Sequence, residues 1–218
     1  QVLRAAYARH KHSTPRPRAG FFTSSRSRPM PLITAPAVEP VTLLEAKLHL
    51  RVDHADDDTL IAVLIKTARQ QAEHRTGRRY GVQTWERAYD AFPAWALLLP
   101  DPPVSVIVSI KYDDANAIEQ TLDPAAYRLR PHSEPAAVMP VSAWPVVLAE
   151  PGAVRIRYQC GLSSTDARWE SLKAWMLLAV GTWYANREAS GAVQNHDLPR
   201  DFWDGLLDPL RFYGSYTG

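Results

Sequence analysis

With 218 residues, 46% of them hydrophobic, the chain carries enough apolar material for a sizeable core in one large domain or two small ones. Its longest apolar candidate, Trp175 to Tyr184, falls short of the roughly 20 residues that span a bilayer, and its single cysteine, Cys160, excludes an internal disulfide framework and suits a reducing compartment. The net charge of +2 is unevenly distributed: residues 1–29 hold seven basic residues and no acid, leaving 18 basic against 23 acidic residues, or −5, in the remainder. A body of that sign is not drawn to nucleic acid by its own field.

Residues 1–29 are rich in Arg, Ser, Pro and His, a composition that buries too little apolar surface to fold alone, and they read as a basic arm extending to residue 38. Three readings of the arm stay open: a segment that orders on a partner, a processed targeting peptide, or sequence upstream of a start at Met30. Thr42 followed by Glu45 is a capping box and starts a first helix at Leu43, which ends near Leu50 to Val52. Asp53, Asp56, Asp57 and Asp58 then supply an N-cap and negative charge for a second helix. Leu60, Ile61, Leu64, Ile65, Ala68 and Ala72 form its buried stripe, with Lys66, Arg69, Gln70 and Glu73 expected outside. Gly77 stops it, and Arg75, Arg78 and Arg79 lie where a helix C-terminus favours cations.

Beyond Tyr80 the hydrophobic period changes from 3.6 to 2. Strands are expected at Val82 to Asp90, Val104 to Tyr112, Ile118 to Leu122, Tyr127 to Arg130 and Ala153 to Gln159, a unit of about five strands separated by proline-rich loops. Cys160 reads as a small strand or turn residue. Thr165 or Asp166 caps a long helix to about Arg187, whose stripe of Trp169, Leu172, Trp175, Met176, Ala179, Val180, Trp183 and Tyr184 should pack on the second helix. The final segment is too apolar for a free tail and too broken by Pro199, Gly205, Pro209 and Gly214 for another core helix, so it should dock on this protein or on another chain. The expected fold is α+β: a helical core of two N-terminal helices and one long C-terminal helix, an inserted small antiparallel β unit, and an extended C-terminal segment. The divisions are 1–38, 39–80, 81–160, 161–190 and 191–218.

Catalytic constellations are missing from the sequence. There is no G-x-S-x-G elbow, phosphate-binding glycine loop, H-E-x-x-H or paired CxxC. The acidic run lacks the alternating spacing and glycine of a calcium loop, and helix capping accounts for it. His49, His54, His74 and His196 read as ordinary histidines, and Ser163, Ser164 and Asp166 as capping residues. The tryptophan stripe reads as core or interface before it reads as a ligand pocket. No metal, cofactor or catalytic residue is expected.

The order EPVTLLEAKLHLRVDHADDDTLIAVLIKTARQQAEHRTGRRY, QTWERAYDAFP, LPDPPVSVIVSIKY, LDPAAYRLR, PGAVRIRYQCG, a Trp-rich helix ending in WYANREA, and LPRDFWDGLLDPLRFY resembles the gp6-like head–tail connector (adaptor) proteins of tailed bacteriophages and gene transfer particles. The resemblance covers Glu39 to about Tyr213 and leaves the arm unmatched. It implies a non-enzymatic ring, usually of twelve copies, seated beneath the portal in the virion neck and assembled in the bacterial host cytoplasm. It also implies contacts with the portal protein and the next neck or tail protein, with DNA passing through the lumen, and no membrane. The family's C-terminal segment reaches toward the portal; carried onto this chain, that makes Phe202, Trp203, Leu206, Leu207, Leu210, Arg211, Phe212 and Tyr213 the portal-facing residues, against the alternative that they close the chain's own core. Other readings are a stopper or tail-completion protein of the neck, a DNA-binding protein acting through Arg4, Arg9, Lys11, Arg16, Arg18, Arg26 and Arg28, and an enzyme whose site is assembled from distant residues.

Overall fold

A computed structural model describes residues 31–186 and 205–212. It is the expected α+β architecture, with three α-helices among the described residues beside antiparallel sheets. Helix α1 (Leu43–Leu50) starts where the capping box sets it: Thr42 Oγ1 accepts the Glu45 N–H at 3.2 Å and Glu45 Oε2 accepts the Thr42 N–H at 2.8 Å. Helix α2 (Asp58–Thr76) ends at Gly77, whose φ of +67° suits the left-handed cap and whose N–H donates to Glu73 O at 2.9 Å. Asp57 stands at the N-cap of α2 but makes no side-chain cap bond. Its carboxylate instead accepts the hydroxyl of Tyr184, and Asp58 pairs with Lys47 at 2.6 Å, so the expected capping acids tie α2 to its neighbours. Helix α3 (Trp169–Ala185) begins later than Thr165 or Asp166 would place it, because Asp166 turns back onto Arg168, accepting its N–H and its Nε–H at 2.9 Å each.

Ile61, Ile65, Ala68 and Ala72 of α2 pack against Leu172, Trp175, Met176, Ala179 and Val180 of α3, with Ala46 of α1 completing one core. Leu60 is exposed, at the margin of the predicted stripe. Arg69 and Glu73, expected outside, are buried. Their charges are matched within the fold, as described below.

Among the described residues the sheets hold eight strands, against the five or so predicted. β1 (Leu32–Thr34), β2 (Gln83–Tyr89), β4 (Val104–Asp113), β5 (Glu119–Thr121) and β8 (Val154–Cys160) form one sheet in the order β1-β2-β8-β4-β5. β3 (Leu97–Leu99), β6 (Tyr127–Arg130) and β7 (Ala136–Pro140) form a second in the order β3-β7-β6. The three added strands are β1, β3 and β7. Alternation sends Leu97, Leu99, Ala136 and Val138 of the small sheet onto Ile110, Val154, Ile156 and Tyr158 of the large one, a second core. Because β1 pairs with β2, Leu32–Thr34 is part of the sheet although it falls within the stretch read as arm.

The excursion into the sheets starts and finishes at one place. Gly81 N–H donates to Leu162 O, Leu162 N–H donates to Arg79 O, and Tyr80 bridges to Leu162. Gly161, at φ +123°, lies so close to the Gly81 carbonyl that no Cβ fits there.

Candidate functional site

The groups that could suggest chemistry are scattered, some engaged in packing and others exposed at the surface. His49 lies against Gly181, where an added Cβ would sit 3.3 Å from Nε2; His54 is exposed and 3.7 Å from Asp56; His74 is exposed. His196 lies outside the described residues. Ser163 and Thr165 hydrogen-bond each other at 2.6 Å ahead of α3. No group of three or more metal-ligating side chains occurs among the described residues, and among them no helix is long and apolar enough to cross a membrane. Cys160 closes β8 inside the second core, where burial pushes its thiol well above the ordinary range.

What the fold builds with care is the joint between α2 and the sheets. Glu73, in the last turn of α2, accepts from Arg69 Nη1 at 2.8 Å, from the Tyr80 N–H at 3.1 Å, and from the side-chain amide of Gln83 at the start of β2. Arg69 also donates to Glu39 at 2.8 Å, fastening the segment ahead of α1. Arg79 reaches Glu73 Oε2 at 3.5 Å and Asp101 Oδ1 at 2.8 Å, with its guanidinium 4.2 Å over the Trp85 ring. Asp101 in turn accepts the Tyr158 hydroxyl. Burial lowers the Arg79 pKa, yet Asp101 and then Glu73 more than offset it and hold the group above its ordinary value; burial, then Asp101, pushes Tyr158 up. The network joins five parts of the chain, the segment ahead of α1, α2, the approach to β2, Asp101 and β8, without an unpaired charge, the condition under which buried ions are tolerated. Arg69 and Glu73, four residues apart and next to the buried Ala68 and Ala72, are the sequence signal for it.

A second cluster anchors the C-terminal segment. Arg78 donates Nε–H to Leu210 O at 2.7 Å and both terminal nitrogens to Glu134 at 2.6 Å, which holds that carboxyl below its ordinary range. The Phe212 N–H donates to Thr76 O at 2.7 Å, and its side chain lies against Gly77, 3.7 Å from an ideal Cβ there. Among the sequence-predicted portal-facing residues, Leu207 and Leu210 are buried in the helical core, while Leu206, Arg211 and Phe212 are half-buried at its edge. Phe202, Trp203 and Tyr213 lie outside the described residues, as do Arg4, Arg9, Lys11, Arg16, Arg18, Arg26 and Arg28 of the arm.

Residues 40–123 match the family described as phage gp6-like head-tail connector protein, so the resemblance read from the sequence is borne out over that stretch. Among solved structures, the chain is similar to one in the neck of an empty gene transfer agent (GTA) particle computed with C6 symmetry. The TM-score is 0.70 at 18% identity, over 87% of this chain and 98% of that one. It is also similar to a chain in the virion of the native GTA particle, with TM-score 0.70 at 18% identity over 88% and 99% of the two chains. A third similar chain comes from the neck of the native GTA particle computed with C12 symmetry, with TM-score 0.67 at 18% identity over 87% and 98%. These likenesses establish a shared fold over nearly the whole length of those chains. No curated protein matches the chain.

Proposed function

Because residues 40–123 carry the connector family's pattern and the fold around them is shared with chains of virion necks, we propose that this protein is a structural head–tail connector. It forms a homo-oligomeric ring in the neck of a tailed phage or gene transfer particle, beneath the portal, with DNA passing through the lumen. Twelve copies is the stoichiometry favoured by the likeness to a neck chain computed with C12 symmetry. The role is one of assembly and not of catalysis. The acidic balance of the body suits a lumen through which a polyanion moves without being trapped. Assembly occurs in the host cytoplasm.

The observation that carries this reading is the coincidence of family and fold: the family match falls on α1, α2 and the first half of the sheets, and the shared fold extends it to 87% of the chain. The C-terminal segment supplies the portal contact, with Leu207 and Leu210 as its internal anchor. Leu206, Arg211 and Phe212, together with Phe202, Trp203 and Tyr213, form the portal-facing side. A partner docking there reads directly onto the end of α2 through Arg78 and Thr76.

Gold labelling of particles with antibody raised against the folded chain tests the role. Label confined to the junction of head and tail is the expected result. Unlabelled necks in particles opened by mild denaturant, under conditions where the antibody binds the purified protein, would overturn it.

A further inference from the structure

The outer face of the three-stranded sheet takes part in neither core nor in the network around Glu73. Pairing sets Leu98 of β3 beside Ala137 of β7, with Arg130 of β6 on the other side, and sets Met139 of β7 beside Arg128. The face therefore runs from apolar to cationic across three strands. Leu98 is 49% exposed, and Trp95 at 83% and Val141 at 51% lie next to the ends of β3 and β7. Arg128 and Arg130 are exposed and form no ion pair among the described residues. Tryptophan, methionine and arginine are the residues enriched where protein surfaces meet.

Near the start of α2 the molecule shows the opposite chemistry. Leu44 and Leu48, one turn apart on α1, are 69% and 71% exposed, and the turn that follows presents Asp53 and Asp56 to solvent. The two surfaces belong to opposite ends of α2. The β6–β7 hairpin is tied through Glu134 to Arg78, just past the helix, whereas Asp53 and Asp56 precede its first residue. At the usual rise, 19 residues separate those ends by about 28 Å. One copy cannot bring its own two faces together, but two copies in head-to-tail orientation can. Such a contact leaves one face of each kind free, which is the repeating addition that a closed ring requires.

We infer that the outer face of the small sheet receives α1 and the following acidic turn of a second copy, Leu98 and Met139 meeting its Leu44 and Leu48, and Arg128 and Arg130 meeting its Asp53 and Asp56. This deepens the ring reading above and rests on it. Apart from Trp95 at its margin the apolar part of the face is aliphatic, so successive bases find no series of rings to stack on, which favours protein over single-stranded nucleic acid as the occupant.

The test uses the full-length protein, the double variants R128E/R130E and D53R/D56R, and the combined quadruple variant, followed by sedimentation velocity from about 1 µM to about 1 mM. All substitutions are on exposed positions, and circular dichroism with a matching unfolding midpoint confirms that each variant folds. Each double variant is expected to weaken self-association about 30-fold or more, and the quadruple variant, with charges exchanged, to recover it. Self-association of either double variant at the parent's strength overturns the inference, as does a parent that stays monomeric throughout or a folded quadruple variant that does not recover. Fluorescence anisotropy with a labelled DNA 30-mer is run in parallel. Loss of DNA binding in R128E/R130E with self-association intact would assign the face to nucleic acid and overturn the inference. The neck labelling above is independent of these outcomes, so a failure of the interface and a failure of the connector reading are told apart.

Discussion

The two ends of α2 use charge in opposite ways. At its C-terminal end, Glu73 pairs with Arg69 and Arg79, and Arg69, Arg78 and Arg79 are matched inside the fold to Glu39, Glu134 and Asp101, contacts that tie separate parts of the chain to this end of the helix. At its N-terminal end, Asp57 and Asp58 bind Tyr184 and Lys47, but Asp53 and Asp56 remain in water. Charge that is buried and paired fixes one geometry, because removing either partner leaves an ion without compensation. Charge left in water contributes little to the chain that carries it and stays available to another.

The sharpest way to break this contrast is Glu73→Ala. It takes the shared carboxylate from Arg69, Arg79 and Gln83, leaving Arg69 with Glu39, Arg79 with Asp101 and the Gln83 amide with Tyr80 O, and it should cost about 3 kcal/mol in urea unfolding. A loss under about 1 kcal/mol would mean that the joint is wet and not locked. Arg78→Met comes next, at about 2 kcal/mol, since it removes charge-assisted bonds to Leu210 O and Glu134. Limited proteolysis should then cut first on the C-terminal side of α3. Thr42→Ala removes the α1 capping box and should cost about 1 kcal/mol, read from the same unfolding curves. Acid sharpens the comparison further. The Lys173 ammonium, with the Thr42 N–H, holds Glu45 down at about 2 against an ordinary 4.5. A depressed carboxylate contributes stability that is present above pH 4.5 and lost as pH falls toward 2. Because the pair is partly exposed the effect is modest, and Lys173→Met should flatten that part of the stability–pH curve. The smallest effect belongs to the other end of α2: Asp56→Asn should leave the monomer's stability within about 0.5 kcal/mol of the parent.

These contrasts also explain which features were legible in the sequence. The start of α1, the stop of α2 at Gly77 and the span of β6 from Tyr127 to Arg130 are set by local chemistry and were read correctly. β1, β3 and β7 were not foreseen, because Leu-Ile-Thr, Leu-Leu-Leu and Ala-Ala-Val-Met-Pro are too short or too weak in β propensity to announce themselves; strand pairing makes them strands. Taken alone, the charges of Arg69 and Glu73 belong on the outside of α2, whereas their burial depends on Arg79, Gln83 and Glu39 arriving from other segments. The acidic run was read for its sequence position at a helix start, and it is the long-range partners Lys47 and Tyr184 that decide what its members do. The fold class and the family resemblance were legible because they rest on the order of elements over most of the chain. No single residue pattern revealed which surfaces remain open, since exposure is a property of the finished packing.

The fastening of Gly81, Tyr80 and Arg79 to Gly161 and Leu162 has a consequence for how such a chain can vary. Seen from the helices, the chain between α2 and α3 leaves and returns at one point, like a bulb screwed into a socket. Insertions, deletions or sequence drift at its distant tips, such as the β4–β5 turn, leave the meeting of α2 and α3 where it was. The socket itself tolerates almost nothing, since a side chain larger than hydrogen at residue 161 has nowhere to go. Descendants of this chain can therefore diversify the surface shown to neighbours while inheriting an unaltered helical frame.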